Sequence, residues 1–140
     1  MKKYGVAIPL VAHGFKSAKD IINEHIAVQN IYNECIFSTD YTFDKFKLRD
    51  ISSIIFYSNS ENIFYEADII NTYQTEPSMS VWLSPEDYIA VEKKNWFHIK
   101  NIRPINLSDI NNYVRENGKK VSYQIQTSKR PNKFYFEIEE

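Results

Sequence analysis

Residues 51–71, ISSIIFYSNSENIFYEADIIN, carry the clearest fold signal in this chain. Two runs rich in β-branched and aromatic residues, 54–57 and 63–70, flank the polar stretch SNSEN. Ser and Asn favour turns because their side chains hydrogen-bond to the nearby backbone. We therefore predict an antiparallel β-hairpin at this point of the chain.

The residues that precede the hairpin alternate between strand and helix patterns. Residues 3–11, KYGVAIPLV, read as a first strand, and residues 33–42, NECIFSTDYT, as a short one. Between them, residues 16–30 repeat apolar residues near helical spacing, and Ser17 is a suitable N-cap. Residues 42–50, TFDKFKLRD, fit a short helix, so this half of the chain mixes both element types.

The residues after the hairpin continue the mixture. In WLSPEDYIAVEK, residues 82–93, a short helix is expected after Ser84 and Pro85, which are favoured at an N-cap and in a first turn. WFHIKNIRPI, residues 96–105, reads as a strand that Pro104 ends. Residues 106–117 form a helix candidate that Ser108 would cap.

The last segment predicts a closing hairpin. A reverse turn at ENGKK leads into KVSYQIQT, residues 120–127, and SKRPNK separates that run from FYFEIEE, residues 134–140. With no repeats or low-complexity linkers, the 140 residues predict one domain, 1–140. Its expected class is α+β, with a curved or closed sheet and flanking helices.

Composition excludes several classes of function. Seventeen basic against eighteen acidic residues give a net charge of −1, so any attraction for nucleic acid has to be local. Three glycines form no phosphate-binding motif, and one cysteine with three dispersed histidines predicts no metal site and no cofactor. No stretch has the length of a membrane span, which predicts a soluble intracellular protein, cytoplasmic or nuclear.

No catalytic arrangement is visible, so we expect a protein that is not an enzyme. Cys35 lies in an apolar run, where a lone cysteine is usually a buried small hydrophobic residue. The neighbouring carboxylates Glu86 and Asp87 fit a solvated helix start rather than an acid–base pair.

Basic residues concentrate near the end of the chain. Between residues 115 and 133 a single acid, Glu116, accompanies six cations: Arg115, Lys119, Lys120, Lys129, Arg130 and Lys133. Carried by the turns of a closing hairpin, they could contact phosphates. The alternative is that lysine-rich turns keep a sheet end soluble and discourage edge pairing.

Large rings beside turns form the other candidate site. Phe37 precedes STDY, Trp82 precedes LSP, and Trp96 opens a predicted strand. Rings of this kind stack on flat ligands such as nucleobases, which is worth about 1–3 kcal/mol per base. The alternative for each ring is core packing, although polar and turn residues surround Trp82: Ser78, Ser80, Ser84 and Pro85.

Several motifs together resemble the YTH domain, a member of the PUA-like superfamily that also contains EVE domains. Residues 37–70 follow its plan of an aromatic-Ser/Thr motif, a short helix and a hairpin, with Phe37-Ser38-Thr39 in the first motif. Trp82 and WFHIKNI, residues 96–102, occupy the places of the family's loop tryptophan and next strand, and residues 114–136 are similar to its closing segment. The resemblance extends over residues 4–136.

The resemblance implies a barrel-like sheet of five to six strands with flanking helices and a non-catalytic reader of a modified base. The base would be methylated adenine in single-stranded RNA, or a modified base flipped out of DNA as EVE-type relatives bind it. Phe37 and Trp82 would be two cage walls, Ser38 would contact the base edge, and Tyr88 or Trp96 would add a third wall. The implied base-binding set is Phe37, Ser38, Thr39, Trp82, Leu83, Tyr88 and Trp96.

A different class of function is left open. Near-zero net charge and many tyrosines also suit a protein-interaction or inhibitor module on the same scaffold, alone or within a larger parent protein. Raising the salt concentration separates the two, because phosphate-dependent binding weakens steeply with salt.

Overall fold

A computed structural model describes residues 3–12, 14–110, 113–115, 118–127 and 133–138. Its strands are β1 (Lys3–Pro9), β2 (Cys35–Thr39), β3 (Ile51–Ser58), β4 (Ile63–Tyr73), β5 (Asn95–Pro104), β6 (Tyr113–Val114) and β7 (Phe134–Ile138). Its helices are α1 (Ala18–Tyr32), α2 (Lys45–Leu48), α3 (Ser80–Leu83) and α4 (Val121–Thr127). Two 3₁₀ turns lie at Glu86–Tyr88 and Leu107–Ile110.

The strands form one mixed sheet in the order β2-β5-β4-β3-β1-β7-β6. Strands β1 and β3 run parallel, and the other neighbours are antiparallel. The α+β class predicted from the sequence is confirmed. The sheet has seven strands instead of five or six, and among the described residues no pairing joins its edges β2 and β6, so it is open.

The open sheet is nevertheless strongly curled. The ring centroids of Phe37 in β2 and Phe56 in β3 are 4.7 Å apart, although β5 and β4 separate these strands in the sheet order. Neighbouring strands are about 4.8 Å apart, so three steps across a flat sheet would span roughly 14 Å. The sheet therefore bends around a core to which β1, β3, β4, β5 and β2 all contribute.

Helix α1 packs into this concave side, as its sequence pattern predicts. Ser17 and Asp20 form a capping box at its start, and Asn33 ends it in a left-handed conformation with φ of 66°. Its buried residues Ala18, Ile21, Ile22 and His25 recur at spacings of three and four, which places them on one face.

The opposite side of the sheet carries two smaller clusters. One packs Val121 and Ile125 of α4 against alternate residues of β1, β3 and β7. The other packs Leu83 of α3 against Ile36 and Trp96. These clusters lie on the other face because successive side chains of a strand point to opposite sides.

The predicted hairpin of residues 54–70 is confirmed, whereas the prediction of a closing hairpin over residues 120–140 is wrong. Strands β3 and β4 pair from Ser53↔Asp68 to Ser58↔Ile63. Residues 121–127, however, form helix α4, and β7 pairs with β1 and β6. Val121, Tyr123 and Ile125 fit a two-residue period, but Val121 and Ile125 are also one helical turn apart. Val121 and Ile125, which lie four residues apart, are buried in the core, and Tyr123 is exposed.

The expected helix over residues 106–117 is also wrong. A 3₁₀ turn at Leu107–Ile110 is followed by strand β6, whose Tyr113 ring stacks on Phe136 at 5.1 Å. Residues 111, 112, 116 and 117 lie outside the described residues, and they include Asn117 of the predicted reverse turn.

Candidate functional site

A cavity of about 400 Å³ lies between the end of β1 and the end of β2. It is lined by residues 9–11, residues 37–41, Ile21 of α1, Tyr88 and Lys93. Strands β1 and β2 do not pair with each other in the described sheet, yet both border this cavity. The curl of the sheet thus brings the edge strand β2 close to β1 and leaves a cleft between them.

Four of the residues predicted to bind a base line this cavity. Phe37, Ser38 and Thr39 line it from β2, and Tyr88 lines it from the 3₁₀ turn. Phe37 is only 6% exposed because its ring packs on Phe56. Tyr88 is half-buried, which leaves part of its ring available to a ligand. Tyr41 adds another ring to the lining.

The other three predicted base-binding residues do not line it. Trp82 is 52% exposed on α3, while Leu83 and Trp96 are buried in the cluster with Ile36. Phe37 and Ile36 are neighbours on β2, so their side chains point to opposite faces of the strand. The expected clamp between Phe37 and Trp82 is therefore corrected, because the first ring is buried in the concave core and the second stands outside the cavity.

Two of the buried polar atoms without a hydrogen-bond partner among the described residues lie on the face of β2 and β5 that carries Ile36, opposite the face of Phe37. They are Ser38 Oγ and Trp96 Nε1, which belong to directly opposed residues of β2 and β5. A buried polar group without a partner costs about 1–3 kcal/mol. Ser38 lies on β2, an edge strand, whose outer backbone groups have no strand partner among the described residues.

Cations at the cavity rim are already paired with acids. Lys93 Nζ lies 3.3 Å from Asp40 Oδ2, and both residues line the cavity. Lys16 Nζ lies 5.4 Å from the centroid of the Tyr88 ring and contacts Glu24 and Asp87. The hydrogen bonds to these two carboxylates raise the pKa of Lys16, so its ammonium group stays protonated.

His25, on the buried face of helix α1, also belongs to this region. Its ring centroid is 5.1 Å from those of both Phe37 and Tyr88. Burial lowers its pKa from 6.5 to about 4, with a smaller contribution from the charge of Lys16, while the hydrogen bond to Ile21 opposes the shift. Nothing in the spacing of the sequence could show that this helix face meets two cavity-lining rings.

The predicted phosphate-binding cluster is only partly described. Lys129 and Arg130 lie outside the described residues. Arg115 Cζ is 5.0 Å from the Phe134 ring centroid, Lys133 Nζ is 5.3 Å from the Phe43 ring centroid, and Lys119 and Lys120 are exposed. Arg115, Lys119 and Lys120 lie on a reverse turn, where a bridge pairs Val114 with Lys120 and Arg115 N–H donates to the Lys119 carbonyl oxygen. Residues 121–127 after this turn are helical, so the second strand of the expected closing hairpin is absent there.

A second cluster of polar residues surrounds Glu66, and its members hydrogen-bond to one another. The buried carboxylate of Glu66 accepts hydrogen bonds from Ser53 (3.2 Å), Arg103 (2.6 Å) and Tyr113. Burial, followed by the bond to Glu66, raises the pKa of Tyr113. This network of hydrogen bonds joins β3, β4, β5 and β6, which supports a structural role.

Other chemistries have no visible centre in the part of the chain that the structure describes. No group of three or more His, Cys, Asp or Glu residues is arranged to hold a metal ion there. Burial raises the pKa of the Cys35 thiol to about 12, with a smaller contribution from Glu34. None of the described helices combines the length and the apolar character that crossing a membrane requires.

Comparisons of the chain with protein families, with curated proteins and with solved structures find no match. The function therefore has to be inferred from the cavity itself.

Proposed function

We propose that this protein is a non-catalytic binding module that accepts one planar nucleobase in the cavity between β1 and β2. The observation that carries the proposal is the convergence of Phe37, Ser38, Thr39 and Tyr88 on that single cavity. The base would come from single-stranded RNA or be flipped out of modified DNA, because a stacked base cannot enter a cleft.

The size and lining of the cavity support this ligand class. About 400 Å³ lies within the range of roughly 300–1,000 Å³ that small-molecule pockets occupy. Tyr41 and Tyr88 supply rings for stacking, and Phe37 adds apolar surface to the lining. A methyl group on the base gains by leaving water for such surroundings. We therefore favour a methylated base, with adenine methylated on its exocyclic nitrogen as the leading candidate.

The relation to the YTH and EVE domains of the PUA-like superfamily remains part of this proposal. A curled α+β sheet and a cavity bordered by Phe37-Ser38-Thr39 support it. In this version Tyr88 replaces Trp82 as a wall of the cage. Lys16 and Lys93, each paired with acids at the cavity rim, would contact the phosphates of flanking nucleotides, and the cluster of residues 115–133 would extend that contact.

Two matched tyrosine and tryptophan variants test the location of the site. Tyr88→Ala removes a cavity wall and should weaken binding of a short single-stranded oligonucleotide with one N6-methyladenine about 5- to 150-fold, the value of one stacking contact. Trp82→Ala removes a larger exposed ring outside the cavity and should leave the affinity unchanged. Fluorescence anisotropy with labelled oligonucleotides measures both. A loss with Trp82→Ala but not with Tyr88→Ala would refute the cavity as the site.

A second candidate function is a protein-interaction module. Val81 and Trp82 are adjacent on α3 and 65% and 52% exposed, and neither lines the cavity. Exposed tryptophan is typical of interface hot spots. Binding through these residues would respond weakly to salt, whereas binding of a nucleic acid backbone weakens steeply as salt rises. A salt titration of any complex therefore separates the two functions.

A further inference from the structure

The lining of the cavity includes one ion pair. Of the described residues that line it, only Asp40 and Lys93 carry a charged side chain, and Lys93 Nζ lies 3.3 Å from Asp40 Oδ2. Asp40 directly follows β2, and Lys93 lies shortly before β5. The two strands pair as far as Thr39↔Asn95, and Lys94 N–H donates to the Thr39 carbonyl oxygen at 3.1 Å. The backbone on both sides of the ion pair is therefore held in place by the sheet.

The carboxylate of Asp40 keeps acceptor capacity that a ligand in the cavity could use. Its side chain is 68% exposed, whereas that of Lys93 is only 22% exposed. An ionised carboxylate accepts hydrogen bonds and donates none, and its two oxygens offer about four lone-pair positions. Lys93 occupies one of these positions on Oδ2, and the carboxylate has no other partner among the described residues. This acceptor is open to a ligand without any movement of the core.

We infer that Asp40 determines which class of base the cavity takes, by accepting a hydrogen bond from an exocyclic amino group. The inference rests on the proposed function, which it deepens by defining the chemistry of the ligand. Adenine and cytosine carry such an amino group, and N6-methyladenine keeps one hydrogen on it. Thymine and uracil place a carbonyl oxygen at the equivalent position. Its lone pairs would face those of the carboxylate, so these bases are disfavoured.

A matched pair of probes tests the hydrogen bond itself. Two otherwise identical short single-stranded oligonucleotides carry either N6-methyladenine or 6-methoxypurine, in which an oxygen replaces the exocyclic N–H with little change of shape. Fluorescence anisotropy at one salt concentration measures both affinities. The wild-type protein should bind the N6-methyladenine probe about tenfold more tightly, because only this probe donates to the carboxylate.

Two matched variants assign the preference to Asp40. The amide of Asp40→Asn presents either its oxygen or its NH₂ group after rotation, so this variant should bind the two probes about equally. Asp50→Asn alters an exposed carboxylate that does not line this cavity, and it should keep the tenfold preference. The ratio of the two affinities is measured on one protein preparation, so any loss of folded protein cancels.

The outcomes separate this inference from the proposed function. If the wild-type protein binds neither probe, the proposed function fails and the role of Asp40 fails with it. If it binds both probes equally, or prefers 6-methoxypurine, the nucleobase site stands and the role of Asp40 is overturned. A tenfold preference that persists in Asp40→Asn, or that disappears in Asp50→Asn as well, overturns that role in the same way.

Discussion

Acid should destabilise this protein through His25, and His25→Phe should remove that part of the pH dependence. In the folded state the imidazole is completely buried between Phe37 and Tyr88, and Lys16 opposes a further positive charge. Protonation therefore favours the unfolded chain, where water solvates the charged ring.

The size of the effect follows from the two pKa values. The pKa of His25 falls from 6.5 in the unfolded chain to about 4 in the folded protein, and a tenfold change in an equilibrium is worth about 1.4 kcal/mol. The resulting loss of stability is roughly 3 kcal/mol. The sign follows from the lowered pKa: the contribution is fully present above pH 6.5 and is lost as the pH falls from 6.5 towards about 4.

Urea unfolding of wild type and His25→Phe across this pH range measures the difference. Phenylalanine has a similar ring, and the Ile21 carbonyl keeps the backbone hydrogen bond of helix α1. Because every other titrating group is shared, the wild-type free energy of unfolding should fall by about 3 kcal/mol more than that of the variant. Parallel pH profiles for the two proteins would refute the buried neutral state of His25.

The remaining predictions concern reactivity and backbone packing. Native Cys35 should resist alkylation by iodoacetamide under mildly alkaline conditions, because its buried thiol has a pKa of about 12. Unfolding in urea should make the thiol reactive. Rapid labelling of the folded protein would contradict this burial. Gly5→Ala should lower the free energy of unfolding by about 1–3 kcal/mol, because the new Cβ would lie 2.3 Å from Phe136 Cζ and 2.8 Å from the Ser53 carbonyl oxygen. Thermal unfolding checks this value, and an unchanged midpoint would show that β1 and β7 can separate without cost.

Local elements of the fold could be predicted from the sequence because their signals are local. The hairpin of β3 and β4 is encoded by two β-rich runs around a polar turn, and α1 by apolar spacing behind the Ser17–Asp20 capping box. These signals need no partner from elsewhere in the chain. Residues 120–127 lacked such a signal, because their apolar spacing fits a strand and a helix equally well.

The site could be predicted only in part. Phe37-Ser38-Thr39 and Tyr88, which the resemblance assigns to one site, line one cavity, and their role in binding a base stays a prediction. Trp82, by contrast, was chosen for its polar neighbours in the sequence, which say nothing about where the helix that carries it docks.

The sequence by itself therefore determined the identity and order of the strongly patterned elements, since hydrogen-bonding and burial preferences over a few residues suffice for those. Tertiary structure decided that the sheet curls without closing, that α4 is a helix, and that His25 stands behind Phe37 and Tyr88. Each of these features depends on contacts between residues far apart in the chain. The net free energy of such contacts is set by the packing of the complete fold, which local sequence patterns do not reveal.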